Sequence, residues 1–237
     1  MNGPAAEPEL APGEWPPLPP ALVALPAAEV TIGLTAAERA TLLALHGEAH
    51  AFDLAADVAA LPAERWARPA MQVMATEVSQ ATWLEGPAPP GDCAGAPPVV
   101  AASRFPVTGV TPDEAERFCA ARGMRLPSDR EWEAIARGPT DAVAPVERVD
   151  TASYPLPVAA RPAARTPEGV HDLAGSVREW VRCTPGEPAY CLGGFAQRGG
   201  AFGDAPIWWH PALAHPPLPG ESARCHRAVQ VGFRCVR

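Results

Sequence analysis

Hydrophobic residues in this chain fall at helical spacing in three short stretches, and each stretch opens on a capping signature. Thr35-Ala36-Ala37-Glu38 is a capping box, and Leu42, Leu43, Leu45 and Ala49 follow it, which predicts a helix to about Ala51. Thr111 heads the second stretch as N-cap, with Pro112 at the first helical position and Glu114 at the third. Ala115, Phe118, Cys119 and Arg122 then share one face until Gly123 stops the helix. Ser128 and Glu131 form a third capping box, Trp132, Ile135 and Ala136 make its apolar stripe, and Gly138 closes it. Partial alternation over Met71–Val78 predicts a strand. Residues 139–167 read as irregular, with strand candidates near Val149 and over Pro155–Val158.

Composition changes this picture mainly through proline. The chain has 31 Pro in 237 residues, and each one inside a helix costs roughly 3 kcal/mol. Loops, short strands and a few short helices are therefore expected. Residues 1–20 hold seven prolines, Glu7, Glu9, Glu14 and no base. We accordingly read 1–24 as a flexible leader and 25–237 as a single domain. A leader of this kind is compatible with a place in a larger multidomain protein. No run reaches the roughly 20 apolar residues of a membrane span, and no export signal is read at the N-terminus. The net charge of −8 argues against nucleic acid as a partner. Every one of the 19 basic residues is arginine, which reads mainly as genome composition, although arginine also suits planar, two-pronged recognition.

Five motifs in order carry a resemblance. They are Arg68–Trp83 (RPAMQVMATEVSQATW), Pro106–Gly138 with its R-L-P link and E-W-E helix, Gly169–Trp180 (GVHDLAGSVREW), Arg198–Phe202 (RGGAF) and the closing VGFRCVR. Together they resemble the formylglycine-generating enzyme, or sulfatase-modifying factor, family. The resemblance implies an α+β, C-type lectin-like fold of low regular secondary structure, with a small twisted antiparallel sheet and two or three short helices. Fold alone does not settle function here.

The resemblance also implies a disulfide between Cys119 and Cys235. Cys183 and Cys191 flank a turn-like insert and are expected to staple it, while Cys93 and Cys225 are left either paired with each other or free. These cysteines suit an extracytoplasmic location, with the cytoplasm left open. The enzymes of the family bind copper(I) through two cysteines shortly after R-G-G-S. Ala201–His210 contains no cysteine, so copper is not expected and no catalytic residue is assigned.

Calcium is expected instead. The Gly175-Ser176-Val177-Arg178-Glu179 turn resembles a family site in which the carbonyls of Gly175 and Val177 join the Glu179 carboxylate, and hard cations take such oxygen ligands. The competing reading pairs Glu179 with an arginine and buries Trp180 in the core. His46 and His50 share a helical face, but Phe52 interrupts the iron-binding H-x-x-x-H-x-E element of related sulfoxide synthases, so a solvated pair is expected. His210, His215, Cys225 and His226 do not meet ordinary metal spacing. Trp208, Trp209, His210 and His215 lie in a proline-rich loop that suits recognition of a protein or glycan. Two functions stay open: a catalytically silent binding module, and an oxygen-dependent metal oxidase.

Overall fold

The computed structural model describes residues 16–19, 21–46, 62–85, 93, 95–99, 103–138, 155–162, 165–183, 194–204, 210–215, 225 and 227–237. Its first layer is a ribbon. Strands β1 (Leu22–Leu25) and β2 (Ala28–Ile32) pair antiparallel with β4 (Met71–Met74) and β3 (Glu64–Arg68) respectively. One register runs through both pairs, from Leu22↔Met74 to Ile32↔Glu64, so the two pairs are a single ribbon broken opposite Pro26 and Pro69. Helix α1 (Ala36–His46) follows β2.

The chain then makes α2 (Gln80–Leu84), capped by Ser79. It continues into α3 (Pro112–Ala120) and α4 (Asp129–Arg137), each opened by the capping box expected from Thr111/Glu114 and Ser128/Glu131. Gly123 (φ 66°) and Gly138 (φ 65°) end these helices in the left-handed region that glycine adopts without strain. A second sheet has the order β7 (Ala214–His215), β6 (Phe195–Arg198), β5 (Arg178–Arg182), β8 (Val231–Gly232). The β5–β8 pair is parallel and the others antiparallel.

The last residues join the two layers. Beyond β8, Val78 N–H donates to Phe233 O at 2.9 Å, and Gln72 exchanges two backbone hydrogen bonds with Arg237 at 2.7 and 2.9 Å. Val236 exchanges a further pair with Arg125 at 2.8 and 2.9 Å. Trp83 stacks on Phe118 at 5.3 Å, and Phe233 meets both rings edge-on. The Cys119–Cys235 disulfide lies in that same aromatic cluster.

Three sequence expectations change. The strand over Met71–Val78 stops at Met74, and a short helix capped by Ser79 follows. Pro155–Val158 is not a strand: Ala160 N–H turns back to Pro157 O at 3.1 Å. A single apolar stripe understates α4, whose Asp129, Glu131, Glu133 and Arg137 are buried along with Trp132 and Ile135. Val149 and the expected end of α1 at Ala51 lie outside the described residues, and β1 begins at Leu22, inside the stretch read as leader.

Candidate functional site around the C-terminal sheet

Strand β5 carries Glu179 into the core, where it is wholly buried. Arg234, just past β8, reaches it with two prongs: Nη2 to Oε1 at 2.6 Å and Nε to Oε2 at 2.7 Å. Trp132 Nε1 donates to the same Oε2 at 2.9 Å. The guanidinium is spent on carbonyls as well, with Nη2 donating to His171 O at 2.9 Å and Nη1 to Met74 O at 3.3 Å. Burial works against the charge on Arg234, but the Glu179 carboxylate outweighs it and holds the guanidinium pKa above its ordinary value.

Both Glu179 oxygens are therefore taken by cationic or N–H donors. The arginine-paired reading of Glu179 matches this geometry, and a cation at Glu179 would have to share the carboxylate with Arg234. The turn itself is tight, with Gly175 at φ 85° and Ser176 at φ 63°.

Beside this pair lies an anomaly that sequence reasoning missed. Glu77 is 1% exposed and neither carboxylate oxygen has a hydrogen-bond partner. Burial, and then the negative charge of Asp172, push its pKa well above the usual carboxylate range. His171 is buried nearby with Nδ1 unpartnered, and burial lowers its pKa.

The stretch after Arg198-Gly199-Gly200 is held by Asp204. Arg178 Nη2 donates to its Oδ1 at 2.6 Å, while Arg178 Nε and Ala201 N–H donate to its Oδ2 at 2.9 and 2.8 Å. Phe202 N–H reaches Ser176 O at 3.0 Å, so this stretch is stitched onto the Gly175-Ser176-Val177 turn. Gly199 is required here: at φ 73° it lies so close to Trp132 that an added Cβ would meet the ring at 3.2 Å.

His210 is buried rather than displayed, at 7% exposure. Its Nδ1 accepts from Ala212 N–H at 3.2 Å and its Nε2 lies 3.7 Å from Glu38 Oε1. Around it runs a network from four parts of the chain. Arg137 bridges Glu38 and Glu133 at 2.7 and 2.9 Å, and Arg198 grips both oxygens of Asp129 at 2.6 Å and holds Pro211 O at 2.9 Å. Burial, and then the positive charge of Arg137, lower the His210 pKa to about 4, so the ring is neutral at pH 7.

Among the other expected residues, Trp208, Trp209, His50 and His226 lie outside the described residues, as do the side chains of His46 and His215. The backbone of His215 is in β7. Cys225 is bonded to Cys93, which resolves the open pairing and removes a thiolate from the His210, His215, Cys225, His226 set. Cys183 is disulfide-bonded, and Cys191 lies outside the described residues. Among the described residues, no three His, Cys, Asp or Glu side chains are grouped to hold a metal ion.

This architecture has known counterparts. The model of the sulfatase-modifying factor enzyme 1-like domain matches residues 18–237. The chain belongs to that family. Its fold is shared with PvdO from Pseudomonas aeruginosa at 20% identity and a TM-score of 0.64, over 91% of this chain and 93% of that one. CarF matches at 19% identity and a TM-score of 0.58, over 93% of this chain and 98% of the other. Treponema denticola variable protein 1 matches at 16% and 0.59, over 91% and 94%. At these identities the likeness establishes the C-type lectin-like fold. No curated protein matches the sequence. No helix among the described residues is long and apolar enough to cross a membrane, and the two placed disulfides are compatible with an extracytoplasmic location.

Proposed function

We propose that this member of the sulfatase-modifying factor family is a catalytically silent binding module, which recognises a protein or glycan through the segment between Ala201 and Arg227. The observation that carries the reading is the state of the stretch after Arg198-Gly199-Gly200. It has no cysteine to supply a copper thiolate, and Asp204, its carboxylate, is engaged three times by Arg178 and Ala201. Soft-metal oxidase chemistry has no ligand set there. Buried His210 then acts as an anchor that ties the segment to α1 and α4, leaving Trp208 and Trp209 as the contact residues of the proposal. A rigid scaffold carrying a variable loop is the usual arrangement for recognition.

The test pairs metal analysis with binding. Purified protein is screened against immobilised glycans and peptides, and a hit is repeated with Trp208→Ala/Trp209→Ala. We expect the double variant to lose binding at an unchanged melting temperature. One copper per chain, together with oxygen-dependent oxidation of a cysteine peptide, would establish the oxidase in its place.

A further inference from the structure

We infer that the Cys93–Cys225 disulfide is a reducible crosslink that fixes the proposed recognition segment, whereas Cys119–Cys235 is a permanent part of the core. The two bonds close loops of similar length, with sequence separations of 132 and 116, so chain entropy does not distinguish them. Their surroundings do. Cys119 and Cys235 are 0% exposed inside the Trp83, Phe118, Phe233 cluster, and a reductant reaches them only when the core opens. Cys93 and Cys225 are both half-buried, so a thiolate can approach in the native state.

The contacts beside the bond determine what its loss would do. Two residues past Cys225, Arg227 donates to Glu114 Oε1 at 2.6 Å and Oε2 at 2.8 Å, and to Gly109 O at 2.8 Å. Ala228 O accepts from Gly109 N–H at 3.0 Å. This clasp holds β8 in register without the disulfide. On the other side, Gly95 is tied to the same region through its carbonyl, which accepts from Arg227 Nη2 at 3.0 Å. Opening the bridge therefore leaves the terminal strand seated and removes the covalent tie at Cys225. The covalent anchor nearest the far end of the Ala201–Arg227 segment is then gone.

A dithiol reductant supplies the chemistry. One of its thiolates attacks a bridge sulfur, the S–S bond breaks, and the other cysteine leaves as a thiolate and takes up a proton. The second thiol of the reductant resolves the mixed disulfide. Two cysteine thiols and an oxidised reductant result, with two electrons and two protons transferred. The consequence for recognition rests on the binding-module reading; the order of reduction does not.

The experiment treats native full-length protein with a graded series of dithiothreitol, alkylates the freed thiols and maps them by peptide mass spectrometry. In parallel, a brief trypsin pulse reads cleavage after Arg224, next to the bridge. We expect Cys93 and Cys225 to be alkylated at doses about tenfold below those that open Cys119–Cys235, and cleavage after Arg224 to rise over the same doses. Cys93→Ser/Cys225→Ser should show the fast cleavage without reductant while still melting cooperatively. If that variant does not fold, the dose series on the native chain decides. Opening of both bridges at one dose, or opening of Cys93–Cys225 without faster cleavage, would overturn the inference. No ligand enters this assay, so its failure is separate from a failure to find a binding partner.

Discussion

Glu179 and Arg234, separated by 55 residues, meet as a two-pronged ion pair with 1% or less of either side chain exposed. The pair joins β5 to the closing segment, and Trp132 Nε1 completes it from α4. Removing one partner strands a buried charge, a change that costs about 3–5 kcal/mol. Arg234→Gln and Glu179→Gln are therefore each expected to lower urea-unfolding stability by that order. The pair also predicts the response to calcium. Because Arg234 already neutralises Glu179, millimolar calcium is expected to leave the melting temperature of the native protein unchanged. A calcium-dependent rise, with one site by titration calorimetry, would mean that the ion displaces the arginine.

Glu77 predicts the opposite sign. Burial and Asp172 raise its pKa well above that of the unfolded chain, so the folded state holds the proton more tightly. Stability is then undiminished below the unfolded value near 4.5 and falls as pH rises from there towards the folded pKa. Glu77→Gln removes the titration. It is expected to be stabilised by about 1 kcal/mol or more at pH 8 relative to the native chain, with the gap closing at pH 4. A loss of several kcal/mol at pH 8 would show that ionised Glu77 has a partner.

The capped helices were legible because their signals are local: Thr111 with Glu114 and Ser128 with Glu131 lie three residues apart and act within one turn. The family motifs were legible for the same reason. The ribbon was not, because Leu22-Val23-Ala24-Leu25 has no alternation, Pro26 interrupts it, and Glu64-Arg65-Trp66-Ala67-Arg68 reads as polar. For β1 the hydrogen-bonding partner, Met71–Met74, lies about fifty residues along the chain. The ion pairs Arg198–Asp129, Arg227–Glu114 and Arg178–Asp204 bridge 69, 113 and 26 residues. The all-arginine basic set reads mainly as composition and names none of these partners. His210 looked like a surface ligand for its proline-rich setting, yet the carboxylate it meets, Glu38, comes from the other end of the chain.

Gly199 offers a test of close packing. At φ 73° it sits in the left-handed region, and a Cβ would meet Trp132 Cζ2 and Leu173 O at 3.2 Å. Neither neighbour is free to retreat: Trp132 is tied to Glu179 at 2.9 Å and the other contact is backbone. Gly199→Ala is expected to cost about 2 kcal/mol through backbone strain and contact combined, read by thermal unfolding. An unchanged melting temperature would show that the β6 end can shift.

The His210 network makes the C-terminal segment acid-sensitive. His210 has a folded pKa of about 4 against an ordinary value of 6.5. The charges that act on it are Glu38 from α1, Arg137 from α4 and Arg198 from β6, the two arginines being paired in turn with Glu133 and Asp129. The unfolded chain takes up the proton first, so the contribution is whole above about pH 6.5, declines as pH falls, and is gone below about 4. Lowering from 6.5 to about 4 corresponds to about 3 kcal/mol as an order of magnitude. Glu38 titrates in the same direction: burial raises its pKa, but the hydrogen bonds from Arg137 and Thr35 outweigh that and lower it. His210→Gln keeps a polar group while abolishing the histidine step. Urea unfolding at pH 7, 5.5 and 4.5 is expected to show a steep fall for the native chain and a shallower one for His210→Gln. Equal slopes would show that His210 is not held neutral between Arg137 and Arg198, and that the segment is anchored elsewhere.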